Sequence, residues 1–121
     1  MSDNKALKRQ YLETASRAGV YLIRNQVTGR ALVEGSANVE GALNRHRFEL
    51  RFGKHRNAAL AQDWIQHGEA QFQFEVLDRV KPRDDPAFNA TQELQTLVAL
   101  WRQEIRCTDE LGYGEPRSDA R

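Results

Sequence analysis

Two runs decide the fold: Gly19-Val20-Tyr21-Leu22-Ile23 and Ala31-Leu32-Val33-Glu34-Gly35-Ser36, separated by the stretch from Asn25 to Arg30. The first run is β-branched and aromatic, the composition of a strand. Asn25 to Arg30, with Gly29 near its end, has the composition of a hairpin loop. Ala31-Leu32-Val33-Glu34 returns as the antiparallel partner, and Gly35-Ser36 breaks it. Residues 19–35 are therefore predicted to form a β-hairpin, on which the rest of the chain must pack.

Downstream of the hairpin the period changes. Val39, Leu43, His46 and Leu50 recur at helical spacing on one face, and Gly53 stops the helix. A second helix begins at Asn57, a favourable N-cap, and runs through Leu60, Ala61, Trp64 and Ile65 to Gly68. Gln71-Phe72-Gln73-Phe74-Glu75-Val76 alternates strictly, as a half-buried strand does. Lys81 to Pro86 is a loop closed by its two prolines. The last helix spans Thr91 to Ile105, with Asn89 and Gln92 placed as a capping box and Leu94, Leu97, Val98, Trp101 and Ile105 as its apolar stripe. Upstream, Ser2 to Ser16 carries one apolar helical face. The predicted organisation is an N-terminal helix over 1–17 packed on the domain, a domain over 18–106 and a flexible polar tail over 107–121. Three strands with flanking helices around one core make an α+β domain.

Composition narrows the function. The chain has 121 residues, 40% apolar and 29% charged, which fits one compact core. Its net charge of +1 conceals an asymmetry. Residues 1–60 hold 11 Lys/Arg against 5 Asp/Glu, a surplus of +6, whereas 61–121 hold 7 against 12, a deficit of −5. Such a split favours an anionic partner held by the first half. Cys107 is the only cysteine, so no disulfide framework or cysteine-based zinc site is expected. His46, His55 and His67 match no short metal-ligand spacing on one helix face. Neither a membrane span nor a secretory leader is legible, and the expectation is a reduced, cytoplasmic domain.

The order of these signals resembles the GIY-YIG nuclease domains. Gly19-Val20-Tyr21, about ten residues of hairpin, and a strand ending in Gly35-Ser36 match that family's opening. So do Leu43-Asn44-Arg45-His46, Gly53-Lys54-His55-Arg56-Asn57, Leu60, Trp64, His67-Gly68-Glu69 and Phe72 to Leu77, the likeness extending over roughly residues 18 to 113. The resemblance implies a small antiparallel three-stranded sheet packed with helices, and one-metal phosphodiesterase chemistry: a tyrosine base, a second tyrosine and an arginine on the phosphate, and a glutamate holding Mg²⁺.

Carried over residue by residue, that set is incomplete. The first tyrosine is Tyr21 and the helix histidine is His46. The second tyrosine position holds Val33, the arginine position Ala42, the metal-binding glutamate position Val98, and the asparagine after the final Gly-Tyr pair is Gly114. No carboxylate lies one turn from Val98, and strand alternation puts Glu34 on the face opposite Val33. The expectation is a nuclease fold with an impaired centre, Tyr21 and His46 as remnants, no metal ligand and no cofactor, with Mg²⁺ implied only where activity persists.

A basic run accompanies it. Arg45, Arg47, Arg51, Lys54, His55 and Arg56 crowd the helix and loop that border the family's cleft, and Arg56-Asn57 adds a helix N-terminus. About four or five neutralised phosphates would give a salt slope near −4 on duplex DNA. The leading expectation is thus nucleic-acid binding, DNA foremost, without cleavage. The alternatives are a Mg²⁺-dependent endonuclease with relocated ligands, or a protein-interaction or self-associating module on a retired nuclease fold.

Overall fold

The computed structural model describes residues 17–81, 84–105 and 112–113. The expected N-terminal helix and most of the expected tail lie outside them. The hairpin forms as predicted: β1 (Gly19–Asn25) and β2 (Ala31–Ser36) pair antiparallel with Tyr21 opposite Glu34 and Leu22 opposite Val33. Asn25, fully buried, accepts from the Val27 amide at 2.9 Å through Oδ1, and Gly29 takes φ +84° to close the turn. The third strand, β3 (Phe72–Arg79), is longer than the alternation suggested and adds to the other edge of β1, giving the order β2-β1-β3. A register shift opposite Val20/Tyr21 lets Val76 face Tyr21 while Asp78 faces Val20.

Among the described residues three α-helices cover the sheet. α1 (Val39–Arg51) is capped by Asn38, whose side chain accepts from the Gly41 amide, a cap the hydrophobic period alone did not reveal. α2 (Ala58–His67) starts on Asn57 and ends on Gly68, both as expected. α3 (Ala90–Ile105) begins after Asn89, whose Oδ1 accepts from the Gln92 amide at 3.0 Å.

Strand alternation divides the core. Tyr21, Ile23, Leu32, Phe72 and Phe74 face α1 and α2, joining Val39, Leu50, Leu60 and Trp64. Val20, Leu22, Ala31 and Val33 face the other way and pack under Leu94, Leu97, Val98 and Trp101 of α3. Each β1 side chain from Val20 to Ile23 is almost fully buried, worth about 1.5–3 kcal/mol apiece for the aliphatic residues. The sheet is thus sandwiched, and the two faces differ sharply in chemistry.

Gly112 and Tyr113, placed by sequence in the tail, are bound into the domain. The Tyr113 amide donates to the Ala31 carbonyl at 2.9 Å. Its hydroxyl donates to Asp63 at 2.5 Å and accepts from Asn25 at 3.1 Å, and Arg30 lies over its ring at 4.4 Å. Burial and the Asp63 bond push that hydroxyl up to about 12. The Tyr113 carbonyl in turn accepts from the Asn57 side chain at 2.5 Å, which fixes the loop before α2.

Candidate functional site

Between β2, the start of α2 and the cleft side of α1 lies a cavity of about 810 Å³. Tyr21 and Glu34 form its floor, Arg45, His46 and Glu49 one wall, and His55 and Arg56 the other. Antiparallel pairing is what brings Tyr21 and Glu34 together, because cross-strand partners point to the same face. Helical spacing turns His46 inward with Val39 and Leu50, and Gly53, at φ +70°, redirects the chain so that His55 returns over His46.

These side chains form one continuous, directed chain of hydrogen bonds. The Asn57 amide donates to Nδ1 of His55 at 3.0 Å, so that nitrogen carries a lone pair and the neutral ring holds its proton on Nε2. Nε2 of His55 faces Nδ1 of His46 at 2.7 Å and donates to it. His46 then holds its own proton on Nε2, which donates to the Tyr21 hydroxyl at 2.7 Å. Tyr21 donates onward to Oε1 of Glu34 at 2.8 Å. One backbone amide thereby sets both tautomers and the direction of every proton as far as Glu34.

The electrostatics agree with that direction. Burial, then the adjacent Glu34 charge, drives the Tyr21 hydroxyl far above an ordinary phenol. The hydrogen bond from His46 and that from Tyr21 hold the Glu34 carboxyl below the usual range, against the opposing effect of its burial. Burial, then His46, holds His55 below an ordinary imidazole. Tyr21 is therefore a protonated donor here, and Glu34 is an ionised acceptor on the floor of the cleft.

The positions the resemblance marks as lost fall in two places. Ala42 lines the cleft and leaves it without a guanidinium there. Val33 and Val98 lie on the opposite face of the sheet, in one apolar cluster. Gly35 allows this close packing: a Cβ at position 35 would come within 2.6 Å of a Val98 methyl and 3.0 Å of Leu94. Hydrocarbon cannot replace a Mg²⁺ ligand, and the residues at the implied metal position do not fit the ion. Among the described residues no group of three His, Cys, Asp or Glu side chains is arranged to hold a metal. One turn beyond Val98, the Arg102 Nε donates to the Val33 carbonyl at 2.9 Å and brings positive charge to bear on Glu34 and Tyr21.

The six-residue basic run divides. Arg45 and Arg56 line the cleft, and His55 is committed to His46. Lys54 is exposed in the loop before α2. Arg47 and Arg51 share a face, as the spacing predicted, but that face turns to Glu69: Arg51 grips it through two bonds of 2.9 and 2.5 Å, and Arg47 stacks over Phe74 at 4.2 Å. Sequence reasoning set Glu34 aside because alternation separates it from Val33. The hairpin register carried the missing signal, since the face opposite Val33 is the face of Tyr21.

No protein-family model and no curated protein sequence matches the chain. Two solved structures do. The catalytic domain of the homing endonuclease I-TevI superposes with a TM-score of 0.61 at 23% identity, covering 79% of this chain and 95% of that one. A mutant form of the catalytic domain of the same intron endonuclease gives 0.64 at 21% identity, covering 80% and 91%. At that identity the likeness is one of fold. This chain has the three-stranded, helix-flanked architecture of a GIY-YIG nuclease-like domain, and no described helix is long and apolar enough to cross a membrane.

Proposed function

We propose that this protein binds nucleic acid in the Tyr21–Arg56 cleft and does not cleave it by the metal-dependent route of the fold it shares. The observation that carries the reading is the apolar packing of half-buried Val98 on buried Val33 and on Gly35, which puts hydrocarbon at the family's second-tyrosine and metal positions. The cleft opposite keeps its polar lining and a rim of cations, and the two similar structures are catalytic domains of an endonuclease. Arg45, Lys54 and Arg56 supply the phosphate contacts. With Arg47 and Arg51 held on Glu69, two or three neutralised phosphates set a duplex salt slope of about −2 to −3 in place of −4.

A second reading rests on one observation: Glu34 places a carboxylate in the cleft beside Tyr21 and His46. A phosphodiesterase with a relocated acid would have that residue at its centre. One assay separates the readings. Purified protein is titrated onto labelled duplex at two salt concentrations, beside plasmid incubated with Mg²⁺ or Mn²⁺. Salt-sensitive retardation without nicking supports binding alone. Metal-dependent nicking that copurifies with the protein and disappears in Glu34→Gln would replace it with the second reading.

A further inference from the structure

On the outer face of α1, Phe48 and Phe52 are exposed at 58% and 61%, although phenyl rings on helices are normally turned to a core. They stand one turn apart with ring centroids 4.6 Å from each other, tilted by 42°. Helical spacing places Phe48 and Phe52 three and seven residues from Arg45, and Phe52 three from Glu49, next to the stripe that forms the cleft wall. The rings therefore lie outside the cleft lining, on the side of α1 that adjoins Arg45. Cations lie beside them: Arg45 on the cleft side, 73% exposed and paired with Glu49 at 3.3 Å, Arg51 on the other, held by Glu69, and exposed Lys54 in the loop that follows.

We infer that Phe48 and Phe52 form a stacking platform for unpaired bases, so that the preferred ligand is a single-stranded or splayed nucleic acid whose phosphates lie on Arg45, Lys54 and Arg56. The inference rests on the nucleic-acid reading above and names its substrate class. Two features favour bases over a protein partner. Two phenyl rings offer only a few hundred Å² of apolar surface, well short of the roughly 800 Å² per partner that a stable protein interface buries. The exposed cations Lys54 and Arg56, with Arg45 where phosphate displaces Glu49 from it, suit a polyanion with flat π faces, and stacking on aromatic side chains tolerates any base. Duplex bases are stacked on each other and cannot use the platform, whereas an unpaired base a few ångströms from its phosphate can.

The test compares three fluorescent probes by anisotropy: a mixed-sequence single strand, the same strand as duplex, and the same strand made abasic, each as DNA and as RNA. Wild type is expected to bind the ordinary single strand about tenfold or more tighter than the abasic one. The paired variant Phe48→Ala/Phe52→Ala should erase that difference while leaving duplex and abasic binding and their salt slopes unchanged. Phe48→Leu/Phe52→Leu, which keeps apolar bulk without a π face, should behave the same way, and circular dichroism checks that both variants fold. Equal affinity of wild type for ordinary and abasic strands overturns the platform, as does wild-type affinity in either variant. In both cases salt-sensitive duplex binding leaves the parent reading standing. Absence of binding to every probe overturns both. A change from dimer to monomer in the variants, seen by sedimentation, would assign the rings to self-association instead.

Discussion

The two faces of one three-stranded sheet have diverged. Facing α1 and α2, β1 and β2 present Tyr21 and Glu34, which extend into a polar chain through His46 and His55. Facing α3, the next residues along the same strands, Leu22 and Val33, are sealed under hydrocarbon. Of the positions that the resemblance marks, Tyr21, His46 and Ala42 lie on the first face, and Val33 and Val98 on the second. Alternation of period two lets a strand lose chemistry on one side while its neighbours keep theirs.

The sharpest way to break that contrast is to truncate adjacent residues of β1. Leu22→Ala removes a 2% exposed side chain from the apolar face and should cost about 2–5 kcal/mol in urea unfolding. Its nucleic-acid affinity per folded molecule should be unchanged. Tyr21→Phe, one residue away, removes a hydroxyl that satisfies two partners and should cost only about 1–2 kcal/mol. Reversed magnitudes would mean that the polar network, not the α3 packing, holds the sheet together.

Putting an acid back is the next test. Val98→Glu places a carboxyl beside Leu94 and Gly35, and Arg102 one turn on offsets part of its desolvation. The expected loss is about 1–2 kcal/mol at neutral pH. It should shrink on acidification, because burial favours the protonated carboxyl. Mg²⁺ should leave the melting temperature of the variant where it was. A rise in melting temperature with Mg²⁺, together with plasmid nicking, would show that the α3 face is still a metal site lacking only one atom group.

Much of this was legible in the sequence because it is local. The hairpin, the Phe72–Val76 alternation and the helical stripes are periodic signals, and each appears as a secondary-structure element. Tyr21 and His46 stood out by resemblance, and Val98 was correctly assigned to an apolar stripe. What escaped depends on pairing over distance. Glu34 joins the site only once the turn fixes the register of β1 on β2. His55 lies in a loop with no period, so nothing local says that it faces His46 and not a phosphate. Glu69, which occupies Arg47 and Arg51, is 18 residues from Arg51. Tyr113 follows a polar stretch, and only the Asp63–Asn25 contacts explain its burial.

The smallest expected effect concerns acid, and it separates the faces by shape instead of by size. His55 is held below an ordinary imidazole, so its neutral form stabilises the fold above the unfolded value of about 6.5, and that contribution is lost as pH falls below it. Protonation of His55 sets an N–H on Nδ1 against the Asn57 amide that donates to it. Glu34 is likewise depressed; its contribution is present above the unfolded carboxyl value of about 4.3 and is lost as pH falls through the folded one. Melting temperature against pH should therefore decline in two stages, the upper set by His55 and the lower by Glu34. His55→Gln should flatten the upper stage, and Glu34→Gln the lower. Leu22→Ala should displace the whole curve downward in parallel, since the face it weakens carries neither titration. Parallel curves for all three variants would mean that the polar chain contributes nothing to acid sensitivity, and that the two faces differ in composition without differing in behaviour.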